Sequence, residues 1–343
     1  MLNKATLLSV LLIWCIAGIA QNPVLRKQQN LSHWHIAHAN YSGITHIDSN
    51  LYAVVDDKSF AEGFFLFNID MDLKTGRIKS VTSSALKHPA NPGSRSKFAD
   101  CEDIVFVPWT NTLLINSEST GTVKEYTMQG ELTGRELAIP PHMQLDKQSH
   151  NGGFEALACN PDNKTFWLTT ENHLKADTLI TDANGKTHQQ LRIVQFDEHR
   201  KPINEWLYMM EAPLLSSKVK YYTHGVPAMT SLPNGKLLVM ERELSIPPRY
   251  IRSKSRLRIF LINPLDSKPG STLVKKEVTS FTTHMRIGLL NYANYEGMCL
   301  GPKLNDGRQT LLLVNDSQAG AGNFLRKLQD YIKVIILPEN LKF

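Results

Sequence analysis

Acidic residues recur in this sequence at one fixed spacing, and carboxylates are the side chains that bind hard cations and perform acid–base chemistry. In the repeated unit, a proline follows the first residue after six positions and an acid follows it after sixteen. The first residues of four units are Glu102, Glu155, Pro227 and Glu296. The closing acids are, in the same order, Glu118, Glu171, Glu243 and Asp316. Asp316 stands at position twenty because its turn is longer, and a fifth unit without the proline ends at Asp56 and Asp57.

Each unit has the pattern of a β-hairpin, because two runs of apolar and β-branched residues flank a turn rich in Pro, Asn, Asp or Gly. Further apolar runs follow, and four strands that repeat roughly every fifty to seventy residues are typical of propeller blades. The sequence therefore predicts an all-β propeller of five blades, or of six if the loops after Ser80 and Glu211 hold further strands. The last unit lacks a fourth strand. We expect the N-terminal segment, which includes residues 34–37, to supply that strand and close the ring.

A propeller would place the repeated acids at one mouth of its central channel. The first strand of each blade lines the channel, and in an antiparallel hairpin its start lies beside the end of the second strand. Eight or more carboxylates would then converge, and they would repel one another unless cations, basic side chains or protons neutralise them. The candidate ligands of a hard cation such as Ca²⁺ are Glu102, Glu118, Glu155, Glu171, Glu243, Glu296 and Asp316.

Three residues of this mouth are candidates for catalysis. Glu155 and Glu296 are candidate bases, and Arg242, between two glutamates, is a candidate contact to phosphate. The alternative for Arg242 is an ion pair with a neighbouring glutamate. The alternative for the acids is a structural role, in which they pair with Arg and Lys or accept backbone N–H groups that lock the blades. The histidines close to the acids in sequence are candidate general acids: His150, His173 and His224.

The composition is that of a globular chain with a substantial core: 343 residues, of which 42% are hydrophobic and 20% charged. This balance excludes an intrinsically disordered chain and a coiled coil. The net charge of +6 is spread along the sequence without a run of five basic residues, so we expect no nucleic-acid partner. The sequence also lacks the G-x-S-x-G motif of α/β hydrolases, the Walker and H-E-x-x-H motifs, and a Cys/His zinc spacing.

Residues 1–20 have the pattern of a secretory signal, in which a basic residue precedes a short apolar run that ends in small residues. The run is too short to span a bilayer comfortably, and the alternative is an uncleaved anchor. We expect an exported monomer with no membrane span after cleavage and one propeller domain over residues 31–343. Cleavage leaves three cysteines, which are interpreted as small core residues with at most one disulfide among them: Cys101, Cys159 and Cys299.

Four segments at the starts of the blades resemble a known family. They read NYSGITHIDSNLYAVVDDKS, FADCEDIVFVP, GGFEALACNPD and NYEGMCLGP, and each is followed by a strand that ends in Asp or Glu. At this spacing they are similar to the phytase-like β-propellers labelled "esterase-like activity of phytase", over residues 40–337. The resemblance implies a secreted or periplasmic propeller that hydrolyses phosphate or carboxylic esters. In the related alkaline phytases, Ca²⁺ on the propeller face binds substrate phosphate and activates water, and the acidic mouth matches that arrangement in kind.

The sequence thus favours a secreted hydrolase of small phosphate or carboxylic esters with a divalent cation at the acidic mouth. The ion would neutralise the charge of the ester and lower the pKa of an attacking water. The main alternative is a non-catalytic propeller that binds a small molecule, a glycan or a protein. A third hypothesis is a sugar or lactone enzyme on the same scaffold.

Overall fold

The computed structural model describes residues 22–91, 99–149, 152–215, 217–248, 250–286, 289–321, 327–339 and 341. The signal predicted for residues 1–20 lies outside these ranges. Within them, regular structure is almost wholly β-strand, because short apolar runs alternate with turn residues. The described residues contain four single-turn 3₁₀ helices, over Leu31–Trp34, Pro141–Met143, Leu145–Lys147 and Pro264–Asp266. None of the helices in this part of the chain is long and apolar enough to cross a membrane.

The strands form five consecutive sheets, each a blade. Two short strands precede them, β1 (Val24–Leu25) and β2 (Gln29–Asn30). Blade 1 consists of β3 (Tyr41–Asp48), β4 (Leu51–Asp56), β5 (Phe65–Asp72) and β6 (Arg77–Ser83). Blade 2 consists of β7 (Cys101–Val107), β8 (Thr112–Ser117), β9 (Thr122–Thr127) and β10 (Leu132–Glu136).

Blade 3 consists of β11 (Phe154–Asn160), β12 (Thr165–Thr170), β15 (Gln190–Phe196) and β16 (Pro202–Met209), with a small hairpin of β13 (Ile180–Thr181) and β14 (Thr187–His188) inserted. Blade 4 consists of β17 (Tyr221–Ser231), β18 (Leu237–Ile246), β19 (Lys254–Ile262), β20 (Lys275–Arg286) and β21 (Leu289–Leu290). Blade 5 contains β22 (Asn294–Lys303), β23 (Gln309–Asp316) and β24 (Tyr331–Ile336), together with β1 and β2.

The five blades form a closed ring around a channel. The innermost strands β3, β7, β11, β17 and β22 each contact the innermost strands of both neighbouring blades. Five clusters of buried apolar side chains fill the five interfaces between adjacent blades, and their burial provides most of the free energy that holds the ring together. The prediction of an all-β propeller with five blades is confirmed, and the alternative of six blades is wrong.

The N-terminal segment closes the ring, but residues 34–37 do not form the closing strand. β1 pairs antiparallel with β24, where Leu25 lies opposite Ile335, and β2 pairs with the same strand. Blade 5 is therefore built from both ends of the chain. Residues 31–34 instead form a 3₁₀ turn, which begins where the side chain of Asn30 accepts the N–H of Ser32 at 2.9 Å. A closing strand of two residues is too short to show the alternation by which strands are recognised in a sequence.

The side chain of Gln29 joins the closing segment to blade 1. Its Nε2 donates to the carbonyl oxygen of Ile78 at 2.8 Å, and its Oε1 accepts the N–H of Ile78 at 3.0 Å. Ile78 is buried and belongs to β6, the outer strand of blade 1. One amide group thus pairs with both backbone groups of a residue in the neighbouring blade, and it continues the closure from blade 5 into blade 1.

The three cysteines of the predicted mature chain form no disulfide among the described residues. Cys101, Cys159 and Cys299 lie in the innermost strands β7, β11 and β22, respectively. Cys101 and Cys299 are buried and Cys159 is half-buried. Burial raises the pKa of the Cys159 and Cys299 thiols well above 9.0, so both stay protonated and behave as small core side chains.

Replacing Gln29 with Ala should lower the free energy of unfolding by about 1–3 kcal/mol, because the two backbone groups of buried Ile78 lose their partner. Urea unfolding at neutral pH measures the change, and Lys27→Ala, an exposed neighbour in the same segment, is the matched control. Equal midpoints for Gln29→Ala and the unmodified protein would show that the ring does not need this contact.

Candidate metal centre at the channel mouth

Every innermost strand contains a β-bulge close to its first residue. The irregularities fall between Tyr41 and Gly43, Cys101 and Ile104, Phe154 and Ala156, Gly225 and Ala228, and Tyr295 and Gly297. In blades 2, 3 and 5 the bulge contains the first glutamate of the repeated unit, which is Glu102, Glu155 or Glu296. A bulge leaves a residue outside the ladder and redirects its side chain. The repeated glutamate therefore marks the point where an innermost strand turns a carboxylate into the mouth.

Acids from blades 1, 2 and 3 meet at this mouth in two groups. One carboxylate oxygen from each of Glu102, Glu118 and Glu155 lies within 4.8 Å of the other two. The same is true of Asp57, Asp100 and Glu102. Glu102 belongs to both groups, so two clusters of three oxygens share one carboxylate. The start of β7 lies beside the end of β8, as expected for an antiparallel hairpin, and each neighbouring blade adds an acid.

Arg242 in β18 holds the acids of blades 3 and 5. This side chain is buried, and its Nη2 lies 2.5 Å from Oε1 of Glu171. Its Nη1 pairs with Glu296 and also donates to Oδ1 of Asn294 at 3.3 Å. Gly225, opposite Arg242 in the hairpin, makes this possible, because a Cβ there would lie 2.3 Å from Cγ of Glu171. Arg242 therefore forms ion pairs, with glutamates from the two neighbouring blades and not with its sequence neighbours.

Glu243 joins neither carboxylate group, although it closes the fourth unit. Its oxygens accept the N–H groups of Leu214 at 2.9 Å and Leu215 at 2.6 Å, and the hydroxyl of Tyr222 at 2.9 Å. Blade 4 also lacks a bulged glutamate, because Pro227 occupies that position. Glu243 therefore anchors the segment that precedes β17, and it is not a member of the candidate metal centre.

Asp316 and Lys58 lie on the rim between blades 5 and 1. Oδ1 of Asp316 accepts the N–H of Gln318 at 2.5 Å, and the backbone of Asp316 forms a β-bridge with Asn40. Nζ of Lys58 lies 2.7 Å from Oδ2 of Asp57, and the Lys58 side chain is 43% exposed. Lys58 therefore offers a positive charge that is both close to the carboxylates and accessible to solvent.

The two candidate histidines that the structure describes belong to neither group. His150 lies outside the described residues. Nδ1 of His173 lies 2.9 Å from Oε1 of Gln189. His224 is buried, and burial lowers its pKa below 6.5, so it is neutral at physiological pH. Neither His173 nor His224 shares a cluster with the carboxylates of blades 1 to 3.

Burial and mutual repulsion raise the pKa values of the carboxyl groups at the mouth. Burial is the main cause for Glu102 and Glu155, whose pKa values lie well above 4.5, and neighbouring acids add to the effect. Burial raises the pKa of Glu296 to about 8, although Arg242 opposes the shift. Burial and then Asp57 raise the pKa of Asp316 to about 6. Without a bound cation, the mouth lowers its negative charge by keeping protons.

The residues of the two groups fit a hard divalent cation. Both groups present carboxylate oxygens, the ligands that Ca²⁺ and Mg²⁺ prefer. Oδ1 of Asp57 is buried and has no hydrogen-bond partner among the described residues, whereas Oδ2 contacts Lys58. A buried oxygen without a donor is costly, and a cation held by Asp57, Asp100 and Glu102 would satisfy it.

Sequence reasoning missed Asp100 as a member of the site. Its backbone φ is 58°, in the left-handed region that Asp tolerates better than most residues. The available signal was its position two residues before Glu102, in the segment FADCED. The repeat did not reveal it because the other units have no acid at the equivalent position.

The five blades and their closed ring make this protein a β-propeller, and its channel has an acidic mouth. The chain belongs to the family described as "Esterase-like activity of phytase", whose sequence profile matches residues 36–318. The family expected from the four blade-start segments is thereby confirmed. No curated protein matches the sequence.

Solved structures to which this chain is similar include three proteins with sequence identities of 13% or less. An endo-arabinase from Bacteroides thetaiotaomicron is 10% identical, with 91% of this chain and 97% of that chain covered and a TM-score of 0.43. A protein of unknown function from Bacteroides caccae is 13% identical, with 86% and 96% covered and a TM-score of 0.37. The C-terminal WD40 domain of Sif2 is 10% identical, with 92% and 99% covered and a TM-score of 0.36. Sequence identities and TM-scores this low give no information about the residues of the site.

In the presence of chelator, the free energy of unfolding should fall as the pH rises from 5 to 8. Between its unfolded-state and folded-state pKa values, a carboxyl group whose pKa is raised by folding holds a proton in the folded protein that the unfolded chain has lost. Its contribution to the free energy of unfolding is therefore complete below the unfolded-state pKa and is lost as the pH rises through the folded-state pKa. For Glu296 the pH window over which this contribution is lost runs from 4.5 to about 8, and for Asp316 it runs from 3.8 to about 6. Within its window each group contributes a slope of about 1.4 kcal/mol per pH unit.

Urea unfolding at several pH values with EDTA measures this slope, and Glu296→Gln should make it shallower between pH 6 and 8 because that group no longer titrates. Glu198→Gln, an exposed acid on the surface of blade 3, is the control and should leave the slope unchanged. A stability that rises with pH in both proteins would contradict protonated carboxyl groups at the mouth.

Proposed function

We propose that the protein is an exported hydrolase that cleaves small phosphate or carboxylic esters at the acidic mouth with the help of a divalent cation such as Ca²⁺. The observation that carries the proposal is the pair of three-oxygen groups that share Glu102. Membership of the family supports a hydrolase-like propeller in general terms. The signal pattern of residues 1–20 supports export.

A divalent cation at such a site supplies positive charge to the ester and lowers the pKa of a water molecule. The residues that would hold it are the members of the two groups: Asp57, Asp100, Glu102, Glu118 and Glu155. They come from three blades, and the packed interfaces between those blades fix their separation before any ligand arrives. Lys58, exposed beside Asp57, attracts the negative charge of a phosphate or carboxylate to the same rim.

Glu296 is the residue we assign to proton transfer. Burial raises its pKa to about 8, so near neutral pH its carboxyl group holds a proton that it can donate to the oxygen of the leaving group. Asn294 donates to Oε1 of Glu296 at 2.8 Å and, with Arg242, orients that carboxyl. Arg242, expected from the sequence as a phosphate contact, is better assigned to positioning, because both of its Nη groups are engaged by Glu171 and Glu296.

Purified protein without residues 1–20 should hydrolyse phytate, p-nitrophenyl phosphate or p-nitrophenyl acetate in the presence of Ca²⁺ and lose that activity with EDTA. Glu155→Gln should lower kcat/KM by about 100-fold or more, because a ligand and candidate base is lost, while circular dichroism and the melting temperature show a folded protein. Glu198→Gln on the exposed surface should retain full activity.

The outcomes separate the competing functions. Absence of turnover of all three substrates, with Ca²⁺ and with EDTA, would contradict the hydrolase and favour a binding propeller, a role consistent with the structural use of Glu243 and Arg242. Turnover that persists in EDTA would contradict the cation. A Glu155→Gln variant that loses thermal stability together with activity would assign the carboxylate to structure.

A further inference from the structure

Gln148, outside the repeated unit, has one buried oxygen for which the described part of the chain provides no hydrogen-bond donor. The side chain is 3% exposed, and its Nε2 donates to the carbonyl oxygen of Met143 at 2.9 Å. That hydrogen bond fixes the orientation of the amide, because a flipped amide would place two oxygens against each other. Oε1 must therefore point the other way, where it has no partner among the described residues.

The oxygen of Gln148 and the carboxylate of Glu118 both lie beside Gly153. A Cβ on Gly153 would lie 2.8 Å from Oε1 of Gln148 and 3.3 Å from Oε1 of Glu118, so both oxygens border the same small space beside this glycine. The N–H of Gly153 donates to Oε1 of Glu118 at 2.8 Å. A buried amide oxygen and a carboxylate oxygen that share a space are mutually unfavourable unless a proton or a cation lies between them.

Glu118 belongs to the group that also contains Glu102 and Glu155. An amide oxygen is a common neutral ligand of Ca²⁺ beside carboxylates, and a flexible shell of six to eight oxygens is usual for this ion. The other group has its own buried oxygen, Oδ1 of Asp57, to which none of the described residues donates. Each of the two groups is therefore accompanied by a separate unsatisfied oxygen, and Glu102 lies between them.

We propose that the mouth holds two divalent cations that share Glu102, and that Gln148 is a neutral ligand of the second one. The first cation lies with Asp57 and Asp100, and the second with Glu118, Glu155 and Gln148. The proposal rests on the cation in the proposed function, but not on catalysis. It assigns to Gln148 a role that its position in the sequence does not suggest.

Isothermal titration of chelator-stripped protein with CaCl₂ tests the proposal, and two binding sites per chain are expected. Gln148→Leu should weaken one site by about tenfold and leave the other unchanged, because only the second cation loses a ligand. Asp57→Asn should weaken the other site alone, and Glu102→Gln should weaken both. Gln148→Glu, which restores an oxygen, should recover the site that Gln148→Leu weakens. Gln144→Leu, an exposed change in the same segment, is the matched control and should alter neither.

Thermal unfolding separates ligation from folding. Gln148→Leu should melt close to the unmodified protein in EDTA but gain less stability on addition of Ca²⁺, since stabilisation by a ligand follows its affinity. A single site that all three ligand variants weaken together would overturn the two-cation arrangement, and an unchanged titration of Gln148→Leu would overturn the role of Gln148. Two Ca²⁺-binding sites in a protein that turns over no substrate would support the two cations and contradict the proposed hydrolase. Turnover of substrate by a protein with one Ca²⁺-binding site would support the hydrolase and contradict the two cations.

Discussion

Repulsion between buried carboxylates at the channel mouth is the constraint on which the rest of this structure depends. The ring brings acids from several blades into one poorly solvated place, where like charges are costly unless they are compensated. Arg242 compensates Glu171, and backbone N–H groups compensate Glu243. Glu102, Glu155 and Glu296 lower their charge by keeping protons, which burial favours. Protonation and the proposed cation binding would therefore be alternatives at this mouth, and each would displace the other.

The two sides of the ring meet this constraint differently, and blade 4 is the reason. It has Pro227 where blades 2, 3 and 5 have a bulged glutamate, and it adds a buried arginine to the ring in place of a carboxylate. Gly225 leaves the space in which Glu171 reaches that arginine. The ion pairs thus occupy the side of blades 3 to 5, and the carboxylate groups suited to cations are left on the side of blades 1 to 3. Blade 4, the least regular blade, therefore determines on which side of the ring a cation site would form.

Features encoded by local, repeated spacing could be predicted from the sequence. The six- and sixteen-residue intervals correspond to hairpins, and they place Glu102 and Glu118 together because both ends of a hairpin are fixed by its register. Features that depend on contacts between blades could not be predicted. No residue type marks the bulges that turn Glu102 and Glu155, and the partners of Arg242 are 71 and 54 residues away. Gln148 and Asp100 lie outside the repeat, and the closing strand β1 has too few residues to show a period.

Ring closure and the carboxylate groups are linked through the main chain. The backbone of Asp316 in blade 5 bridges Asn40, and the carbonyl of Asn40 accepts the N–H of Asp57 at 3.1 Å. The carbonyl of Asp57 in turn accepts the N–H of Asp100 at 2.6 Å, which leads into blade 2. Asp57 is therefore linked through the main chain directly to Asp100 of blade 2 and, by way of Asn40, to Asp316 of blade 5. Because β1 and Gln29 hold blade 5 against blade 1, a ring that opens at this junction would break the bridge between Asp316 and Asn40 and would move Asp57 away from the acids of blade 5.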